Sequence, residues 1–116
     1  MPRDRRKLCG YTVGIIAATA QDVISDIRRA KRYRELGSPK DEKRLADFAL
    51  DEMSKLEFAA KMLPSVVCKA DPKETRDYVT SLIELARDDL KDGNYDKAIK
   101  WLETITTTLY TPLRRK

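Results

Sequence analysis

The chain has no histidine. That absence excludes Ser-His-Asp and Cys-His nucleophilic machinery, zinc sites that use imidazole, and di-metal centres built on Glu-x-x-His. Its two cysteines, Cys9 and Cys68, are too few for a four-thiolate zinc site. It holds one glutamine, Gln21, and one asparagine, Asn94. Scarce amides beside abundant charge are a compositional trend of hot habitats, so a hyperthermophilic archaeon or its virus is the expected source. No apolar run approaches the ~18 residues of a membrane span, so no membrane partner is expected.

What is present is 116 residues, of which 37% are charged and 41% hydrophobic. That length suits one domain. The balance is too apolar for a disordered chain and too polar for a membrane protein. The net charge of +5 is uneven. Arg3, Arg5, Arg6 and Lys7 stand against Asp4 alone, and Arg114, Arg115 and Lys116 close the chain. Residues 8–113 therefore hold 17 basic and 18 acidic side chains, a net −1. One further cluster lies inside: Arg28, Arg29, Lys31, Arg32 and Arg34.

Residues 1–20 have the outline of a secretory signal, with a basic start, an apolar stretch and Ala18-Thr19-Ala20. Gly10, Tyr11, Thr12 and Gly14 dilute the stretch, and its rhythm continues through Val23, Ile24 and Ile27. A helix of the domain is the better reading. A cytoplasmic or virion-associated location is expected rather than secretion.

Periodicity and capping signals predict four helices, near 11–36, 38–63, 72–92 and 95–110. The first carries Val13, Ile16, Ala20, Val23, Ile27 and Ala30 at alternating spacings of three and four, and ends at Gly37. The second opens at Ser38-Pro39, an N-cap followed by proline at the first helical position. Its apolar stripe is Leu45, Phe48, Ala49, Met53, Leu56, Ala60 and Leu63. The third opens at Asp71-Pro72 with Glu74 as in a capping box, and carries Val79, Leu82, Ile83, Ala86 and Leu90. The fourth starts after Asn94 and carries Ala98, Leu102, Ile105 and Leu109. No strand is predicted. Short connections make consecutive helices antiparallel. The expected fold is therefore an all-α, up-down-up-down four-helix bundle spanning 11–110, with a basic arm at 1–10 and a basic tail at 111–116.

The first two helices are longer than the fourth, and the second has apolar residues off its main stripe: Leu50, Phe58 and Met62. Apolar surface left uncovered by a shorter neighbour predicts a homodimer through that hairpin, with these three residues contributing. The antiparallel arrangement also brings Cys9 and Cys68 to one end of the bundle. They are a candidate disulfide or two buried small hydrophobes.

Among the carboxylates, Asp47/Asp51 and Asp88/Asp92 are one turn apart, but they lie opposite apolar stripes or close a helix against solvent. Solvated faces are expected, with no metal, cofactor or acid–base site. Asp51→Lys55, Glu57→Lys61 and Asp96→Lys100 have the spacing of surface ion pairs. The segment Gly93 to Ile105 resembles the second half of a tetratricopeptide unit. A solenoid needs several such units, so the resemblance implies no function here.

Basic runs suggest contact with nucleic acid. For Arg28–Arg34 a helix C-terminus favours cations, and the acidic turn Asp88–Asp96 is expected beside it as a neutraliser. The chain ends are different. Both emerge at one pole, which also receives the loop with Lys69 and Lys73. Arg3, Arg5, Arg6, Lys7, Lys69, Lys73, Arg114, Arg115 and Lys116 form a candidate basic cap for phosphate. The function expected is a small non-enzymatic protein that binds nucleic-acid backbone in an architectural, packaging or accessory role. The alternative is a helical protein–protein module that docks on a larger partner by an exposed apolar surface of the first two helices.

Overall fold

A computed structural model describes residues 2–61 and 72–110, with side chains over 14–61 and 76–108. Among the described residues the chain forms four helices and no strand: α1 (Pro2–Glu35), α2 (Pro39–Lys61), α3 (Pro72–Lys91) and α4 (Tyr95–Tyr110). Each helix packs against two neighbours, in the ring α1–α2–α3–α4–α1. This is an all-α four-helix bundle with alternating direction.

The two described turns share one construction. At the first, the Ser38 amide donates to the Tyr33 carbonyl (2.9 Å) and the Gly37 amide to that of Arg34 (3.1 Å). At the second, the Asn94 amide donates to Asp89 (2.7 Å) and the Gly93 amide to Leu90 (3.0 Å). Both are Schellman closures, with glycine in the left-handed conformation where other residues are strained. The φ values are 75° for Gly37 and 81° for Gly93. In each case the next residue immediately caps the following helix: the Ser38 carbonyl accepts from Glu42, and that of Asn94 from Ala98. Ser38 also donates its hydroxyl to Asp41 (2.8 Å), which steadies the first turn of α2.

The expected stripes form the core. Ile16, Ala20, Val23, Ile27 and Ala30 of α1 meet Leu45, Ala49, Met53, Leu56 and Ala60 of α2. Val79, Leu82, Ile83, Ala86 and Leu90 of α3 and Ala98, Leu102 and Ile105 of α4 close the ring. Full burial of one Leu or Ile side chain is worth about 1.5–3 kcal/mol, so these stripes hold helices that would be marginal alone.

Two expectations are corrected. First, α1 begins at Pro2, not near Tyr11, so the backbone over 2–10 is helix rather than a separate arm. Second, Phe48 does not belong to the core stripe. It is 53% exposed, because the buried arc of α2 runs through Leu45, Ala49 and Met53. Leu50, expected to contribute to a dimer surface, is less outward than Phe58. It is half-buried and packs against the core of its own chain, because α2 lies between two neighbours and its buried arc is wide. Phe58 is exposed, as expected, at 68%. Met62, Leu63, Cys68 and Lys69 lie outside the described residues, as does the side chain of Cys9, so the cysteine pairing does too.

Candidate nucleic-acid interface

The internal basic cluster occupies the last two turns of α1, and the bundle brings carboxylates to much of it. Arg28 pairs with Glu103 of α4 at 3.2 Å, and Lys31 with Asp96 at 2.8 Å. Arg34 is the most connected. Its Nε donates to Glu42 Oε2 (3.0 Å) and its Nη1 to the Gly93 carbonyl (2.9 Å). Its guanidinium lies over the Tyr95 ring, 4.2 Å from the centroid. The Tyr95 hydroxyl donates to the same Glu42 oxygen at 2.6 Å. One side chain therefore ties α1, α2 and the α3–α4 turn together. A Cβ on Gly93 would stand 2.7 Å from Arg34 Nη2 and push the guanidinium aside, while the positive φ is what favours glycine at this position.

The electrostatics follow from that knot. The hydroxyl of Tyr95 and the charge of Arg34 hold Glu42 below the ordinary glutamate value. Burial, reinforced by Glu42, pushes the Tyr95 phenol up to about 12. The expected neutralisation of Arg28–Arg34 by the acidic turn is made only for Lys31, by Asp96; Arg28 and Arg34 pair instead with Glu103 and Glu42. Arg29 and Arg32 are exposed and form no ion pair or hydrogen bond among the described residues, although the charge of Arg29 acts on Asp26. A shallow groove of about 390 Å³ lies beside them, lined by Ser25, Arg28, Arg29, Lys31, Arg32 and Glu35.

The basic cap is placed only in part. Arg3, Arg5, Arg6 and Lys7 fall on α1, and Lys73 on the first turn of α3. Lys69, Arg114, Arg115 and Lys116 lie outside the described residues. At 1.5 Å per residue, α1 is about 51 Å long. That nearly spans the molecule's longest dimension of 53 Å. Lys61 and Gly14 are equally far from the turn at Gly37–Ser38, so residues 2–13 of α1 run past the described end of α2.

The carboxylates hold no cluster suited to a metal ion among the described residues. Lys43–Asp47 (2.7 Å) and Glu57–Lys61 (4.0 Å) are ordinary one-turn pairs, and Arg87 joins Glu57 across α2 and α3 at 2.9 Å. Asp96 bonds Lys31 in place of the expected Lys100, and the pair Asp51–Lys55 is not made. Asp89 accepts from the Trp101 indole at 2.7 Å.

One carboxyl pair escaped the sequence reading. Asp26 of α1 is only 7% exposed and faces Glu52 of α2. Burial raises the Asp26 pKa, with Arg29 opposing and Asp22 adding to the rise. Burial, then the charges of Asp26 and Asp22, raise that of Glu52, with Lys55 opposing. The two carboxyls lie close enough to influence each other's ionisation, and each disfavours a second negative charge in the seam. Glu52 Oε1 is buried without a partner. The only signal in the sequence was an aspartate at the edge of the buried face of α1.

Among the described residues no helix is long and apolar enough to cross a membrane. No family model, no curated protein and no solved structure matches the chain.

Proposed function

We propose that the protein binds the phosphate backbone of nucleic acid without reading sequence and without catalysis, in an architectural or packaging role. The observation that carries this reading is the distribution of charge on α1. The bundle consumes the inner cations Arg28, Lys31 and Arg34 in its own ion pairs. The same helix extends to Pro2, so Arg3, Arg5, Arg6 and Lys7 fall on helical backbone beyond the described end of α2. A helical backbone fixes the spacing of successive positions, which lowers the entropy cost of contacting successive phosphates. Arg29 and Arg32 supply a second, smaller set of exposed cations on the same helix. Residues 8–113 as a whole, at a net −1, have little long-range pull on phosphate.

Fluorescence anisotropy on a short duplex tests the reading. Four phosphate contacts give a log–log salt slope near −3.6, which costs roughly two decades of affinity between about 50 and 200 mM salt. Replacing Arg3, Arg5, Arg6 and Lys7 by glutamine is expected to remove most of that slope while helicity persists, because glutamine is a comparable helix former. Replacing Arg29 and Arg32 is expected to remove a smaller share. Equal binding by the four-glutamine variant and the parent, or no binding by the parent at low salt, overturns the proposal.

A further inference from the structure

The outward face of α2 carries a short palindrome. Phe48, Asp51, Lys55 and Phe58 follow one another at spacings of three, four and three. All four are exposed, while Leu45, Ala49, Met53, Leu56 and Ala60 turn the opposite side of the helix into the core. A stripe spaced alternately by three and four is the seam that one helix presents to another in a two-stranded pair. This stripe holds two large apolar side chains with two opposite charges between them.

The charges are also unspent. Asp51 and Lys55 are one turn apart and positioned to pair with each other, yet they form no ion pair, whereas Lys43–Asp47 and Glu57–Lys61 on the same helix do. Asp51 makes no polar contact among the described residues, and Lys55 acts only at a distance, on Glu52. The palindrome gives these groups a partner of one kind. A second copy laid antiparallel, with its twofold axis at the level of Met53, sets Phe48 against Phe58′, Asp51 against Lys55′, and each reciprocally. A parallel copy would set Asp51 against Asp51′ and Lys55 against Lys55′, which repel. An unrelated partner would have no reason to match this mirror order of ring, anion, cation and ring.

From this self-complementarity we infer that α2 is an isologous dimer seam, occupied by the α2 of a second copy of this chain in antiparallel register. The seam replaces Leu50, which is committed to its own core, by Phe48, and keeps Phe58. Its length places it at the small end of specific interfaces, so association is expected in the micromolar range.

Sedimentation equilibrium from low to several hundred micromolar protein tests the inference. The full chain is expected to rise from 13.3 kDa toward twice that mass. Asp51→Lys sets lysine against lysine across the axis, and Lys55→Asp sets aspartate against aspartate. Each variant alone is expected to dimerise at least about tenfold more weakly. Mixed in equal amounts they are expected to recover the parent's association as a heterodimer, because each pair across the axis is then of opposite charge. Neither variant contains that opposite pair within its own chain, so the recovery is intermolecular. Phe48→Ala with Phe58→Ala is expected to abolish the dimer. Circular dichroism should be unchanged throughout, since all four positions face solvent. A parent that stays monomeric at several hundred micromolar overturns the inference and leaves the face to a foreign protein. A dimer that survives all these variants, or a mixture that associates no better than its components, overturns it too.

Discussion

Arg34 shows how much one residue carries and why sequence could not reveal it. As the last of five cations within seven residues it reads as a solvated C-terminal charge. Its partners Glu42, Gly93 and Tyr95 come together only when α4 returns alongside α1. The need for glycine at position 93 was legible as a helix stop, but the guanidinium against it was not. The buried hydroxyl of Tyr95 gives this knot a measurable signature. Tyr95→Phe removes the donor that, more than any other group, keeps Glu42 ionised. It is expected to cost about 1 kcal/mol of unfolding free energy at neutral pH. The pH dependence follows from the shifts. Glu42 is depressed, so its contribution is present above its unfolded pKa and is lost as pH falls through the folded value. Tyr95 is raised, so its contribution is present below its ordinary value and is lost as pH rises through about 12. Urea titrations of parent and variant should therefore diverge most between these limits and converge in acid. Parallel curves across the acid range would show that the hydroxyl does not act through Glu42.

At the scale of the elements, the starts of three helices were legible because each is written locally. Pro39, Pro72 and Asn94 mark entries that need no knowledge of neighbours. The start of α1 was not, because Gly10, Tyr11 and Gly14 weaken the local signal. Faces were less legible than boundaries: Phe48, expected in the core stripe, is exposed, and Leu50, expected off it, is half-buried against the core, since the buried arc of a helix depends on how many neighbours it has. The α1–α2 seam also contains a carboxyl pair, Asp26 and Glu52, whose ionisation opposes packing. Asp26 and Glu52 are both raised, so the stability they contribute is fully present below their unfolded pKa values and is lost as pH rises through the folded ones. Glu52→Gln removes one negative charge beside Asp26 and Asp22. It is expected to raise stability by about 0.5–1 kcal/mol at neutral pH, the low end because the seam is near solvent. The gain should vanish in acid, where Glu52 already carries its proton. Thermal melts of parent and Glu52→Gln across this range measure the effect. A constant offset at every pH would mean that the substitution acts by packing and not by charge.

At the scale of the whole molecule, the proposed seam and the proposed phosphate contacts constrain each other. Helix α1 runs antiparallel to α2, and the seam sets α2 antiparallel to α2′. The two copies of α1 therefore also run in opposite directions, and their Pro2 ends, with Arg3, Arg5, Arg6 and Lys7, point away from each other. A dimer with cations at opposite poles cannot lay both sets on one short stretch of duplex. It presents them to two. The expected activity of the dimer is therefore bridging, whereas a monomer carries one such end and only coats. Two duplexes carrying different fluorophores measure the difference by energy transfer. The parent chain is expected to bring them together at low salt and to release them as salt rises, following the steep slope of backbone contacts. Asp51→Lys and Lys55→Asp should each bridge far less, and their equal mixture should bridge as the parent does. Because the two variants differ in net charge by four while sharing the basic end of α1, a change in bridging common to both cannot come from charge alone. If both bridge as well as the parent while sedimenting as monomers, the second phosphate site lies within one chain, and Arg29 with Arg32 becomes its location.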